Sequence, residues 1–394
     1  MRILFLASRL PFPPDRGDRL RAFHVMRSLS EAGHEIHLAS FISSESERRS
    51  ADSLRSFCKT LLLVEMSPLA SWFSCAAALL GKTPLQVAYY KSGRMAGAVG
   101  ALLEREKFDL IYVHLFRMAQ YVRDERPEYA LVDLTDVISR EIERSLTFRR
   151  DLNRLIYAVE LQRVRRFEAS VASSFKECWV VSEREAEALR ELCPPANVRV
   201  VPNGVDLEKF RPCEIKPGNI VSFVGHLGVP HNVDAVLHFY DVIFPLVLKE
   251  WPECKFQVVG PSAHRSLLPL KGDSRVVMTG FVEDLNASLS SSSVFVAPLR
   301  YCAGLQNKVL EAMAAGVPVV ATPCVNEGLG AEPGEEILLA SDPNAFAEKV
   351  VSVLRDASLR NRIAANARKF VERRFSWQHA TNRMAAIEAQ IGER

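Results

Sequence analysis

Four residues in one short stretch are suited to chemistry. In AGLQNKVLEAMAAGVPVVAT, residues 303–322, a glycine, an amide, a lysine and a carboxylate precede a short apolar strand. Gly304 permits backbone conformations closed to other residues, Asn307 to Ala315 are mostly good helix formers, Gly316 can end the helix, and Val317 to Val320 reads as a buried strand. Lys308 and Glu311 stand three apart and Asn307 and Glu311 four apart, so all three share the N-terminal part of one helical face. A helix start with a lysine and free N–H groups suits an anionic phosphate. The carboxylate one turn deeper would repel that phosphate, but it can accept hydrogen bonds from the hydroxyls of an attached ribose. An ordinary surface Lys/Glu pair has the same spacing.

Other candidates lie at comparable strand-to-helix junctions. Arg300 follows the apolar run Val294 to Ala297 and, with Lys308, supplies two cations fit to neutralise a diphosphate leaving group. In SRLPFPPDRGDRLRAFH, residues 8–24, Gly17 sits where the chain turns into a helix, and the N–H groups that follow, with Arg16, Arg19 and Arg21, make an anion-friendly site. The loop is not G-x-G-x-x-G, which weakens a dinucleotide reading. His114 ends Leu110-Ile111-Tyr112-Val113, where a parallel strand delivers side chains to a cleft; its imidazole suits a sugar hydroxyl or a structural role equally well. VVGPSAHRS (258–266) and TGFVEDL (279–285) are glycine turns that could wall a base pocket. No D-x-D occurs, and Asp133-x-x-Asp136 has the wrong spacing for one, so a divalent ion holding a diphosphate is not expected.

The elements that must position these residues alternate along the chain. Apolar runs at Ile3 to Ala7, Ile36 to Phe41, Leu61 to Glu65, Leu110 to His114, Leu131 to Asp133 and Trp179 to Ser182 are interleaved with helical patterns such as Leu20 to Ala32. This is the rhythm of a parallel sheet covered on both faces. VVPNGVDLEKFRPCEIKPGN (200–219) interrupts it as an interdomain linker. A second series follows: Ile220 to Val224, a helix from Val233 to Lys249, Lys255 to Val259, Arg275 to Thr279, Val294 to Ala297 and Val317 to Ala321. The tail from Pro343 is helical except for a break at Phe375-Ser376-Trp377. The expected fold is therefore α/β, with two doubly wound Rossmann-like domains and a cleft between them. Their expected bounds are 1–200 for the first, 201–218 for the linker and 219–375 for the second.

Composition fits such a chain. The 394 residues exceed most single cores, and a net charge of +3 with 48% apolar and 25% charged residues gives no hint of a nucleic-acid surface or of disorder. Eight cysteines without a C-x-x-C pair read as reduced thiols of a cytoplasmic protein rather than a zinc site. The opening run before Arg9 is too short for a secretory apolar region. Leu69 to Leu80, with Trp72 and Phe73, falls short of the ~20 residues of a membrane span and is expected in a core, the alternative being a membrane surface.

With these motifs the chain resembles the family 4 glycosyltransferases of the GT-B fold over nearly its whole length. The Gly17 loop, DLIYVHLF, WVVSEREAEAL, VVPNGVDLEKF, GLQNKVLEAMAAGVPVVAT and RRFSWQHA carry the likeness. More narrowly, RLPFPPDRGDRLRAFH, VDLTDV and APLRYCAGLQNKVLEAMAAG are similar to the sugar transferases of the PEP-CTERM/exosortase system. The resemblance implies a retaining, metal-independent hexosyl transfer from a nucleotide sugar to a glycan or lipid-linked acceptor in exopolysaccharide synthesis, with no further cofactor. It implies that the helix at 376–394 packs back on the first domain.

By the same resemblance Glu311 holds the ribose, Lys308 and Arg300 the phosphates, Gly17 the diphosphate from the opposite domain, and His114 the donor sugar, with Gly225, Gly304 and Asn307 completing the donor site. His114, Arg300 and Lys308 are the expected catalytic residues. Two features depart from the pattern: Ala303 stands where the family often has a glutamate, and His226 and His231 replace an Arg-x4-Lys pair. A sugar-nucleotide epimerase of the same fold and a scaffold subunit without turnover are the alternative functions. Peripheral contact of the first domain with the inner face of the cytoplasmic membrane belongs to the alternative reading of Leu69 to Leu80.

Overall fold

The computed structural model describes residues 1–15, 17–122, 129–148, 153–212, 218–261, 264–302 and 304–392. The chain divides into two compact units, one made of Met1–Pro202 with Trp377–Arg394 and the other of Asn203–Ser376.

The first unit is built on seven parallel strands: β1 (Arg2–Ala7), β2 (Glu35–Ile42), β3 (Thr60–Glu65), β4 (Leu110–His114), β5 (Ala130–Thr135), β6 (Glu177–Val180) and β7 (Val198–Val200). Their order is β3-β2-β1-β4-β5-β6-β7. Alternate residues of a strand point to opposite faces, and here both faces are dry. Ile3, Phe5, Leu110, Tyr112 and Trp179 enter one core, and Leu4, Leu6, Ile111, Val113 and Cys178 enter the other. That is why these strands read as continuous apolar runs. Strand order reverses between β1 and β4, where Ala7 lies beside His114, which in turn lies beside Asp133. The last helix, Gln378–Gly392, puts Met384 and Ile387 into the first of these cores, and Arg383 donates to the buried Glu177.

The second unit carries β8 (Ile220–Val224), β9 (Lys255–Val259), β10 (Val276–Gly280), β11 (Val294–Ala297), β12 (Val319–Ala321) and β13 (Leu338–Leu339), all parallel in the order β10-β9-β8-β11-β12-β13. Order reverses here between β8 and β11. The expected helix from Val233 to Lys249 starts earlier, at Pro230, and contains a π-helical turn over Phe239–Ile243 just before Pro245. A proline has no N–H to donate, and the wider turn admits it. The expected strand at Trp179 to Ser182 lies two residues earlier, because Ser182 is instead the N-cap of the helix Glu183–Leu192, accepting from the Glu185 N–H.

One expectation is overturned. Leu69 to Leu80 is not in a core: its helix, Pro68–Leu79, buries only Ser71 and Ala78. Leu69, Trp72, Phe73 and Leu80 are 73%, 69%, 76% and 98% exposed. The small side chains face inward and the large ones outward. Leu155, Ile156 and Val159 are further exposed large hydrophobics of the same unit, on the helix Asn153–Ser174, and Arg163 of that helix donates to the Leu79 carbonyl at 2.7 Å.

Candidate functional site

In the first unit the candidate residues gather where β1, β4 and β5 end. Gly17 is the first residue of the helix Gly17–Glu31. The expectation that Arg19 and Arg21 face an anion is corrected, because carboxylates already engage them. Arg19 pairs with Asp15 at 3.3 Å and with Glu47, while Arg21 is wholly buried, donating through Nε to Asp133 Oδ2 at 2.7 Å and through Nη1 to the Val201 carbonyl at 2.9 Å. Arg16 lies outside the described residues.

Asp133 is the centre of this arrangement. It accepts from Arg21, from the Tyr112 hydroxyl and from the Thr135 N–H at 3.1 Å. Burial alone would raise its pKa, but Arg21 and His114 hold it well below the usual carboxylate range. His114 sits against it, Nδ1 at 3.8 Å from Asp133 Oδ2 and Nε2 at 3.0 Å from the Asp18 carbonyl. Nδ1 is buried without a hydrogen-bond partner. The Asp18 side chain meets Arg9 at 3.1 Å and Arg117 at 3.7 Å, and these cations with His114 overcome burial to lower its pKa. Leu115 and Thr135, at the ends of β4 and β5, are held at φ 69° and 65°. Left-handed backbone at two non-glycine residues stores about 1–3 kcal/mol each and is characteristic of functional sites.

Asp136, one residue beyond Thr135, has a buried Oδ1 without a partner, and its pKa is pushed well up by burial and then by Glu185 and Glu141. Nothing in the sequence ranked Asp133 above Asp136; only the register of β4 against β5 does.

In the second unit the site forms at the ends of β8, β9 and β11. Gly225 ends β8, and a side chain there would meet Asn232 at 3.0 Å. Gly260, at φ +146°, lies so close that its Cβ would fall 1.9 Å from the Gly225 carbonyl. These glycines bring backbone and the Asn232 amide together. Asn232 donates to the His226 carbonyl at 3.1 Å and accepts from Lys308 Nζ. His226 and His231 are otherwise engaged locally, His226 Nδ1 accepting from the Gly228 N–H at 3.2 Å and His231 meeting the Tyr301 ring edge-on.

Asn307 and Lys308 open the helix Asn307–Ala314, which ends before Gly316 at φ 73°. Asn307 Oδ1 accepts from Asn203 at 2.9 Å, and the Lys308 ammonium lies 5.2 Å from the centre of the Phe223 ring. Burial brings the Lys308 pKa down to about 8, against the pull of Cys302 and Glu311. Burial takes that of Glu311 up to about 7, against the pull of Lys209 and Lys308. The Glu311 carboxyl is deep although part of the residue remains accessible. Arg300 is partly exposed and forms a two-pronged ion pair with Asp234. The partners of Arg300 and Lys308 thus come from one short helix, Pro230–His238, two residues apart. Sequence reasoning missed Asn232 and Asp234; only their position just after a strand-end glycine marks them. Gly304, at φ 54°, begins the loop into the lysine helix, and Ala303 lies outside the described residues.

Two parallel Rossmann-like sheets on one chain, each with polar residues at its switch point, are the GT-B architecture. Residues 17–204 match the glycosyl transferase 4-like domain and residues 218–356 the glycosyl transferases group 1, and the chain belongs to this family. It is 23% identical over 388 residues to an uncharacterised 44.6 kDa protein in the cps region of Klebsiella pneumoniae, covering 95% of this chain and 96% of that one. It is 27% identical over 195 residues to the capsular polysaccharide biosynthesis glycosyltransferase CapM of Staphylococcus aureus, covering 45% of this chain and 50% of the other. Among solved structures, Anabaena HepE in complex with UDP and glucose superposes with a TM-score of 0.69 at 15% identity, over 99% of this chain and 100% of the other.

Proposed function

We propose that this glycosyltransferase moves a sugar from a nucleotide-sugar donor to a glycan or lipid-linked acceptor in surface polysaccharide assembly, with retention of anomeric configuration and without a metal ion. The observation that carries the reading is the start of the helix Asn307–Ala314, where a buried ammonium and a deep carboxyl have pKa values displaced toward neutrality. Both groups are under-solvated, and a nucleotide diphosphate would relieve both. Its phosphates would supply the counter-charge for Lys308 and its ribose hydroxyls would donate to Glu311. Arg300, oriented by Asp234, adds a second cation beside the departing diphosphate, and the Gly304 and Asn307 backbone and Gly225 close on the same ligand. In the first unit His114, backed by Asp133, suits a donor-sugar hydroxyl, and the N–H groups after Gly17 suit an anionic phosphate. The lack of D-x-D supports the metal-free reading.

The names of the relatives support the polysaccharide context, and UDP with glucose on HepE supports a nucleotide-sugar donor. The outward Leu69, Trp72, Phe73 and Leu80, with Lys82 nearby, suit the interface of an anionic bilayer where a lipid-linked acceptor resides. Among the described residues no helix is long and apolar enough to cross a membrane.

A thermal-shift panel of nucleotide sugars identifies the donor, since a ligand bound only by folded protein raises its stability with occupancy. Transfer of that sugar to a lipid-linked glycan, with the anomeric configuration of the product read by NMR, is the expected result. Stabilisation by no nucleotide sugar sinks the reading, and epimerised donor without acceptor replaces it with an epimerase.

A further inference from the structure

We propose that Cys302 and Cys324 form a reversible oxidation site that ties the loop carrying Arg300 and Gly304 to the helix Pro323–Leu329. The two are 22 residues apart in sequence, yet their sulfurs lie 3.7 Å from each other. The Cys302 thiol donates to the Cys324 carbonyl at 3.4 Å, and the Cys324 thiol to the Leu299 carbonyl at 3.0 Å. Thr322 also bonds Leu299, through its hydroxyl at 2.5 Å, so both flanks of the pair are fixed.

The backbones already touch. Gly328 carries no side chain because a Cβ would fall 2.3 Å from the Gly304 carbonyl oxygen. A disulfide needs a sulfur separation of about 2.05 Å, so the two sulfurs must close in from 3.7 Å for the bond to form. The other described cysteines have no such neighbour within bonding reach, apart from the paired electrostatics of Cys178 and Cys193. Cys58, Cys178 and Cys254 are buried, and burial pushes their thiols up to about 12. Cys324, by contrast, is half-buried and open to a small oxidant.

The oxidant is hydrogen peroxide. The Cys324 thiolate attacks its O–O bond, giving a sulfenic acid and releasing one water. The Cys302 thiol then attacks that sulfur, the S–O bond breaks, a second water leaves, and the S–S bond forms. Two thiol hydrogens and two electrons pass to the peroxide.

The consequence rests on the donor site proposed above. Cys302 stands between Arg300 and Lys308 in sequence and interacts electrostatically with the Lys308 ammonium. Tying it to Cys324 fixes the loop in one position, and a nucleotide that must settle between loop and lysine then binds about tenfold more weakly.

The test treats the full chain with stoichiometric hydrogen peroxide and maps its peptides by mass. The expected product is a linked Cys302–Cys324 peptide, lighter by two hydrogens, restored by dithiothreitol and lost in Cys324→Ser and in Cys302→Ser. Oxygen retained on either sulfur without a linked peptide overturns the proposal, as does a link to any other cysteine. Titration of reduced and oxidised protein with UDP reads the consequence: weaker binding by the oxidised form is expected, and equal binding overturns the coupling. Failure of UDP to bind even reduced protein strikes at the donor-site reading instead, and the mass measurement stands apart from it.

Discussion

The strand ends of the two units meet the same physical problem in opposite ways. In the first, the charges closest to His114 are answered: Arg21 by Asp133, Asp18 by Arg9 and Arg117, and the Asp133 carboxyl is driven down despite its burial. In the second, Lys308 leans on a neutral amide and an aromatic face, Glu311 makes no ion pair among the described residues, and both are displaced toward neutrality. A site whose main charges are paired holds its geometry whether or not anything is bound. An under-paired one is held in a state that a ligand of the right charge improves. The difference teaches that the first unit is built to orient and the second to respond.

The largest effect that would break this contrast is on stability. Asp133→Ala strands the buried Arg21 guanidinium, and removing one partner of a buried pair costs about 3–5 kcal/mol. Urea unfolding should show this loss, whereas Asp234→Ala, whose Arg300 is partly exposed, should cost far less. Next comes Lys308→Ala, with the roles reversed. Turnover at saturating donor should fall by roughly two to three orders of magnitude, the usual cost of losing one preorganised electrostatic contact, while stability changes little or improves because a strained buried ammonium is gone. Full turnover in both Lys308→Ala and Arg300→Ala would remove the leaving-group role from this helix.

A pH profile sharpens the same point. Below about 7 the Glu311 carboxyl is protonated and above about 8 Lys308 is neutral, so affinity for whichever nucleotide sugar the thermal-shift panel identifies should rise as pH increases through 7 and fall again beyond 8. Glu311→Gln should flatten the acid limb and weaken binding by roughly 1.5–3 kcal/mol, the range for a hydrogen bond to a charged group, leaving inorganic diphosphate almost unaffected. Calorimetric titration reads both, and an unchanged acid limb in the variant would assign it to another group. The smallest effect is at Trp72 and Phe73. Replacing both with serine should alter stability by no more than about 0.5 kcal/mol per site, as for surface positions, while abolishing co-sedimentation with anionic vesicles.

The sheets were legible because parallel strands covered on both faces must be apolar at every position, and the runs at Leu110 to His114, Ile220 to Val224, Lys255 to Val259 and Val294 to Ala297 coincide with β4, β8, β9 and β11. The helix after Gly304 was legible from its glycines and helix formers. What sits opposite each candidate was not. Asn232 and Lys308 are 76 residues apart, and Arg21 and Asp133 are 112 apart, so only the assembled sheet order makes them neighbours. Leu69 to Leu80 misled for a different reason: apolar content alone does not say which face of a helix is turned inward, and there Ser71 and Ala78 are the inner face. The shared location of Cys302 and Cys324 was equally silent, since neither spacing nor context marks two thiols that meet across a loop and a helix.

The return of the last helix to the first unit sets an order of assembly. Met384 and Ile387 are sealed in the core laid down by β1 and β4, and Arg383 is locked onto Glu177 of β6. During translation β1 leaves the ribosome well before the last helix, so the core it founds lacks these side chains until the whole of Asn203–Ser376 has been made. The unit of Asn203–Ser376 is contiguous and can close while still tethered. The unit that starts before Asn203–Ser376 is thus completed only after it, and nascent chains halted before residue 378 must keep an apolar strip around Met26 and Leu29 within reach of chaperones.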